Sequence, residues 1–216
     1  MDCSWWLRND RSDMHEYGDQ VTHRKSDQAQ AAHTAFEIRD IRDSELAAFG
    51  EVLVEVYSAL DGFPHPAEQP AYYQLLRDVG RLLERPGVQI FVAEDRQATL
   101  LGGVVFFADM AQYGSGGTAT SETDAAGIRL LGVRPQARGL GVGKALTLAC
   151  LERARALGRD KVVLHTTGAM QLAWAMYERL GFQRAPDLDF QQEALPVFGF
   201  RLTIGHAPPT ADGASR

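Results

Sequence analysis

The chain is poor in cysteine and lysine and has no long apolar run. Its two cysteines are Cys3, in a polar N-terminal stretch, and Cys150, inside an apolar-periodic segment. With no Cys-x-x-Cys pair and six scattered histidines, neither a disulfide framework nor a structural zinc site is expected, and no metal is assigned. Cys150 reads as a small buried hydrophobe rather than a nucleophile. No stretch approaches the ~20 apolar residues of a membrane span. Trp5-Trp6-Leu7 is too short for the apolar core of a signal peptide. Neither a membrane nor an export route is therefore expected, and the expected compartment is the cytoplasm. Only Lys25, Lys144 and Lys161 are lysines among 22 basic residues, a bias that suggests GC-rich bacterial coding. Positive charge is also in deficit, at a net −6, which argues against nucleic acid as a partner.

What is present is enough for one α/β core: 216 residues, 45% of them hydrophobic. Residues 1–35 are polar, with almost no aliphatic side chains from Asn9 to His33, and are expected to be a disordered tail. Residues 36–204 form the expected domain, and residues 205–216 a flexible polar tail. A short strand opens at Phe36. Leu46, Phe49, Leu53, Val56 and Leu60 then recur at helical spacing. A second helix is expected from about Ala71 to Glu84, stopped by Pro86-Gly87. Strands follow at 88–94, 100–109 and 126–133, with a flexible loop at 112–124 containing Gly114-Ser115-Gly116-Gly117. A helix over 141–157, a short strand at 161–165, a helix over 169–180, a strand opening at Phe182 and a last strand at 196–204 complete the chain. The fold class is α/β: a mixed, mostly antiparallel sheet of about seven strands with flanking helices.

The informative segment runs from Leu131 to Leu146, Leu-Gly-Val-Arg-Pro-Gln-Ala-Arg-Gly-Leu-Gly-Val-Gly-Lys-Ala-Leu. It joins a strand to a helix through a glycine-rich turn beside Arg138. Backbone N–H groups and a helix N-terminus make such a turn an anion site. It is not a nucleotide-hydrolase loop, because Ala145 stands where the Ser or Thr after Gly143-Lys144 is required. Nor is it a dinucleotide fingerprint, because Lys144 occupies the third glycine position after Gly139 and Gly141, and antiparallel strands precede it.

Arg138, Gly141 and Gly143 make an Arg-x-x-Gly-x-Gly pattern. It resembles the pyrophosphate-binding motif of the GNAT (GCN5-related N-acetyltransferase) superfamily. Ala173-Trp174-Ala175-Met176-Tyr177-Glu178-Arg179-Leu180-Gly181-Phe182 resembles that family's Ala-x-x-x-Tyr-Glu-x-x-Gly-Phe signature. One helix and one strand separate the two, as in the family, and the likeness covers about residues 36–204.

The resemblance implies an N-acyltransferase, an N-acetyltransferase in the first instance, that uses acetyl-CoA as donor and passes the acyl group to an amine on a small molecule or peptide. It implies that the strands at 126–133 and 161–165 splay apart around the donor. Leu131 and Val133 would contact it through their backbones, and the Val133 N–H would polarise the thioester carbonyl. Arg138, Gly139, Leu140, Gly141, Val142, Gly143 and Lys144 would hold the pyrophosphate. Tyr177 would protonate the leaving thiolate. Glu122, Asp124 and His165 stand as base candidates beside a water relay, with His165 equally readable as a structural histidine. Phe63, Pro64, His65, Tyr72 and Tyr73 would line the acceptor site. Met170 departs from the family, which often has asparagine there; Thr166, Thr167 or Gln171 could make the lost polar contact. A non-catalytic acyl-CoA sensor, a partner-binding role for Trp5-Trp6 and a homodimer through the last strands remain compatible with the same residues.

Overall fold

The computed structural model describes residues 36–205; the expectations for the two tails, Trp5-Trp6 included, lie outside them. Eight strands form one sheet: β1 Phe36–Asp40, β2 Val88–Asp95, β3 Leu100–Phe107, β4 Ala125–Val133, β5 Lys161–Thr167, β6 Gln183–Arg184, β7 Phe190–Gln192 and β8 Leu195–Thr203. Their order is β1-β2-β3-β4-β5-β8-β6, with β7 beside β8. Every pairing is antiparallel except β4 with β5. A parallel pair needs a crossover, and helix α3 (Val142–Ala156) supplies it. The remaining helices are α1 (Leu46–Ser58), α2 (Pro70–Arg77) and α4 (Gln171–Arg179).

The central strands read as continuous apolar runs because both faces of the sheet are covered. On one face, Phe49 and Leu53 of α1 and Tyr73 and Leu76 of α2 join Val105, Phe107 and Val163 in one core. On the other, Leu146 and Cys150 of α3 and Tyr177 of α4 join Val104, Phe106, Ile128 and Leu164. Adjacent residues of β3 thus serve opposite cores, as a two-residue repeat requires. Cys150 is fully buried, and burial pushes its thiol well above the usual value, which suits packing and not nucleophilic attack. No helix among the described residues is long and apolar enough to cross a membrane.

Two expectations are corrected, and the expected sheet of about seven strands gains one short member. The second helix stops at Arg77 and continues as a 3-10 turn over Val79–Glu84; Gly80 there abuts Leu46, with its Cβ position 3.0 Å from Leu46 Cδ1, and glycine disfavours the α-helix. There are eight strands, because the polar segment Phe190–Gln192 forms β7 through a turn at Glu193, φ +54. The loop at 112–124 is packed, not loose. Tyr113 is fully buried, and a Cβ on Gly116 would lie 2.6 Å from the Phe190 ring. Thr118 Oγ1 donates to Asp187 O at 2.8 Å.

Candidate active site

β4 and β5 pair only from Ala125 opposite Lys161 to Ile128 opposite Leu164. β5 stays bonded to β8 through Thr167, and β4 to β3 through Val133. No strand joins the two beyond Ile128, so a wedge opens between them. A bulge lies at the parting point: Leu130 has φ +53, and the register against β3 shifts between Gly103 and Val105. A bulge bends its strand and resets the facing of its side chains. Ile128 packs in the α3-side core, Leu130 in the α1-side core, and Leu131 and Val133 return to the α3 side.

β4 runs from this wedge into the glycine loop. Gly139 and Gly141 are left-handed, φ +82 and +84, with open space where a Cβ would stand. The Arg138 and Leu140 N–H groups turn inward to Pro135 O (3.2 Å) and Ala137 O (3.4 Å). Those of Gly139, Gly141, Val142, Gly143 and Lys144 donate to no carbonyl among the described residues. They cluster at the positive end of a 15-residue helix. Arg138, Leu140 and Lys144 have exposed side chains, whereas Val142 is buried and offers only its backbone. Gly143 brings the helix close to Leu131 and Val133: its Cβ position is 3.9 Å from Leu131 and 3.7 Å from Val133. The residues expected to hold the donor are therefore contiguous in space.

Tyr177 is 4% exposed and meets Phe182 edge-on, with ring centroids 5.7 Å apart. Burial pushes its phenol well above the usual value. It packs in the α3-side core with Leu146, Cys150 and Phe182. Thr166 and Thr167, at the open end of β5, are 2% and 4% exposed, and neither hydroxyl has a hydrogen-bond partner. Gln171 Nε2 is committed to Gly168 O at 2.5 Å, and Met170 packs against the α1-side core. The two threonines are thus the open polar groups beside the wedge.

Two of the three base candidates are occupied. Glu122 bonds Lys161 Nζ at 2.7 Å and Arg201 Nη2 at 2.6 Å, and these cations hold its carboxyl below the usual range against the opposing effect of burial. Asp124 is exposed, at φ +53, with its carbonyl bonded to Asp160 N. His165 Nε2 lies 3.0 Å from Leu188 O, so it carries the proton; Nδ1 then accepts from Tyr113 Oη at 3.1 Å. Burial holds His165 below its usual value, so it is a neutral structural histidine.

On the α1 side, Tyr57, Phe63 and Tyr72 pack together, with ring centroids 5.5–6.1 Å apart. Phe63, Pro64 and His65 line a groove of ≈470 Å³ with Glu68, Gln69 and Glu193. Tyr73 is fully buried and donates to Pro64 O at 2.9 Å, so it holds this loop from the core rather than lining the groove. Tyr57, Tyr113 and Arg129 were not singled out from the sequence. Arg129 did carry a signal, as the single charge in the strand Ala-Ala-Gly-Ile-Arg-Leu-Leu-Gly-Val.

A central sheet that parts at a bulged strand and opens onto a glycine-lined helix N-terminus defines the fold of an acyl-transfer domain. The model of the acetyltransferase (GNAT) family matches residues 42–182, and the chain belongs to that family. In sequence it is 46% identical over 57 residues to a mycothiol acetyltransferase of Thermobispora bispora, a stretch covering 26% of this chain and 19% of that protein. The chain spans less than a quarter of the mycothiol acetyltransferases it matches first. In structure it resembles a GNAT-family acetyltransferase of Staphylococcus aureus, with TM-score 0.62 and 15% identity over 79% of this chain and 100% of that one. It also resembles the PaiA N-acetyltransferase of Thermoplasma acidophilum in complex with coenzyme A, with TM-score 0.57 and 16% identity over 76% of this chain and 98% of that one.

Proposed function

We propose that the chain is an acyl-CoA-dependent N-acyltransferase that moves an acetyl group from acetyl-CoA to an amine on a small molecule or peptide. The observation that carries this reading is the wedge between β4 and β5 ending on five free N–H groups of the glycine loop. The residues fit the donor. The free edge of β4 at Leu131 and Val133 can take an extended chain as an added strand does, and the loop amides with Arg138 and Lys144 suit a pyrophosphate. The coenzyme A complex of the Thermoplasma relative supports the same donor class.

Acetyl-CoA supplies an acyl thioester whose carbonyl carbon an amine can attack. The Val133 N–H would polarise that carbonyl and stabilise the charge that grows on its oxygen. Thr166 and Thr167 would satisfy their buried hydroxyls on polar atoms of the donor or acceptor. Tyr177, kept protonated by burial, would deliver a proton to the departing sulfur. With Glu122 and His165 committed to structure, the amine proton would leave through water or to the exposed Asp124.

The test is release of free CoA thiol from acetyl-CoA with a panel of amines, alongside calorimetry of acetyl-CoA. Amine-dependent release is expected. Binding without release for any amine would make the chain a sensor, and absence of binding would overturn the reading.

A further inference from the structure

We propose that Arg129 binds an anionic group of the acceptor, so that the amine substrate also carries a carboxylate. The proposal rests on the acyltransferase reading and names its substrate class. Arg39, Arg42, Arg134, Arg184, Arg201 and Lys161 each face a carboxylate. Arg129 faces none among the described residues. Its Nη1 donates to Tyr113 O at 2.6 Å and Gly114 O at 3.0 Å, which fixes the plane of the guanidinium. Its carbon lies 5.5 Å from the Tyr113 ring centroid and 6.0 Å from that of Phe107. The Nε and Nη2 donors have no acceptor among the described residues.

These contacts orient the guanidinium while two of its donors stay open, which readies it for an anionic ligand. Its planar fork matches a carboxylate with two parallel hydrogen bonds. The location is apt: Arg129 precedes the bulge where β4 leaves β5, over the Phe107 and Tyr113 rings. Thr167 adds a second polar group. It is two residues along β5 from His165, hence on the same face of the sheet, and its buried hydroxyl is unpartnered. A polycationic acceptor would meet repulsion from Arg129.

The experiment compares α-amino acids and dipeptides with their carboxamides, and with spermidine, in thiol release and in calorimetric binding to the CoA-loaded protein. Each carboxylate is expected to exceed its carboxamide by about tenfold or more, as a charged hydrogen bond supplies. Arg129→Gln should bring that ratio toward one, Arg129→Lys should leave an intermediate ratio, and Thr167→Val should lower it less. Acetyl-CoA affinity that stays within about twofold of wild type certifies that each variant is folded, because such a change is under 1 kcal/mol. A wild-type ratio near one, a ratio unmoved by Arg129→Gln, or spermidine acetylated while no carboxylate binds would overturn the proposal and leave the acyltransferase intact. If no amine is turned over, the acyltransferase reading fails instead, and the binding ratio still decides the role of Arg129.

Discussion

At the scale of single residues, chemistry depends on what surrounds each group. Tyr177 was recognisable from its neighbours in sequence, but its burial is a property of the folded α3-side core. Because that burial raises its pKa above the usual value, Tyr177 stays an acid through the working range of most assays. Tyr177→Phe should therefore lower kcat by about 10²-fold or more at every pH, as loss of a general acid does. It should not shift an alkaline limb below pH ~10, where free tyrosine titrates. A pH–rate profile of both proteins checks this, and a limb that moves in the variant would assign Tyr177 a different role. Arg129 and His165 show the reverse case. Each is one residue in an apolar strand, and only their partners separate a candidate ligand-binding group from a structural histidine.

At the scale of elements, the glycine loop was legible because left-handed backbone has a compositional signature. Gly141 caps α3 at φ +84 with no atom near its Cβ position, so Gly141→Ala adds no clash. The cost is conformational, about 1–2 kcal/mol, read as a lower denaturant midpoint, together with weaker acetyl-CoA binding as the amides turn away. Wild-type affinity in the variant would remove those amides from the donor site.

The edge of the sheet carries a second device. Arg39 bonds Glu94 at 2.7 Å and Glu45 at 2.6 Å, and Arg42 bonds Glu94 at 3.1 Å, tying β1 to β2 and to the start of α1. Hydrogen bonds from Arg39 hold both carboxyls down, each from 4.5 to about 2. A depressed carboxylate stabilises the fold fully above its unfolded value and loses that contribution as pH falls through the folded one. The melting temperature should accordingly decline between pH 4.5 and about 2, and Glu45→Gln should flatten part of that decline. The bulge at Leu130 had no comparable signature, since leucine disfavours positive φ and nothing local announces it.

At the scale of the whole molecule, the two cores share one sheet, and the wedge proposed for the donor lies where that sheet divides. A ligand held by β4 and the start of α3 should therefore stabilise the whole folded unit rather than one loop. Acetyl-CoA at about 100 times its Kd contributes ~2.7 kcal/mol. For a domain of this size, that raises Tm by about 5–10 °C in a single transition. A shift confined to a separate transition would show that the two faces unfold independently.

The sequence by itself determined the class of fold, the order of elements along most of the chain and the identity of the glycine loop. Apolar periodicity, turn residues and positive-φ glycines are local signals, and each is written in the residues that obey it. Only the tertiary structure decided where the strands part, which groups remain free and which are occupied. The bulge phase of β4 sends Ile128 to one core and Leu130 to the other, and tertiary packing brings Tyr113, Arg129 and His165 together from separate segments. These are long-range facts, because a side chain's face and partners depend on strand pairing that no window of the sequence contains.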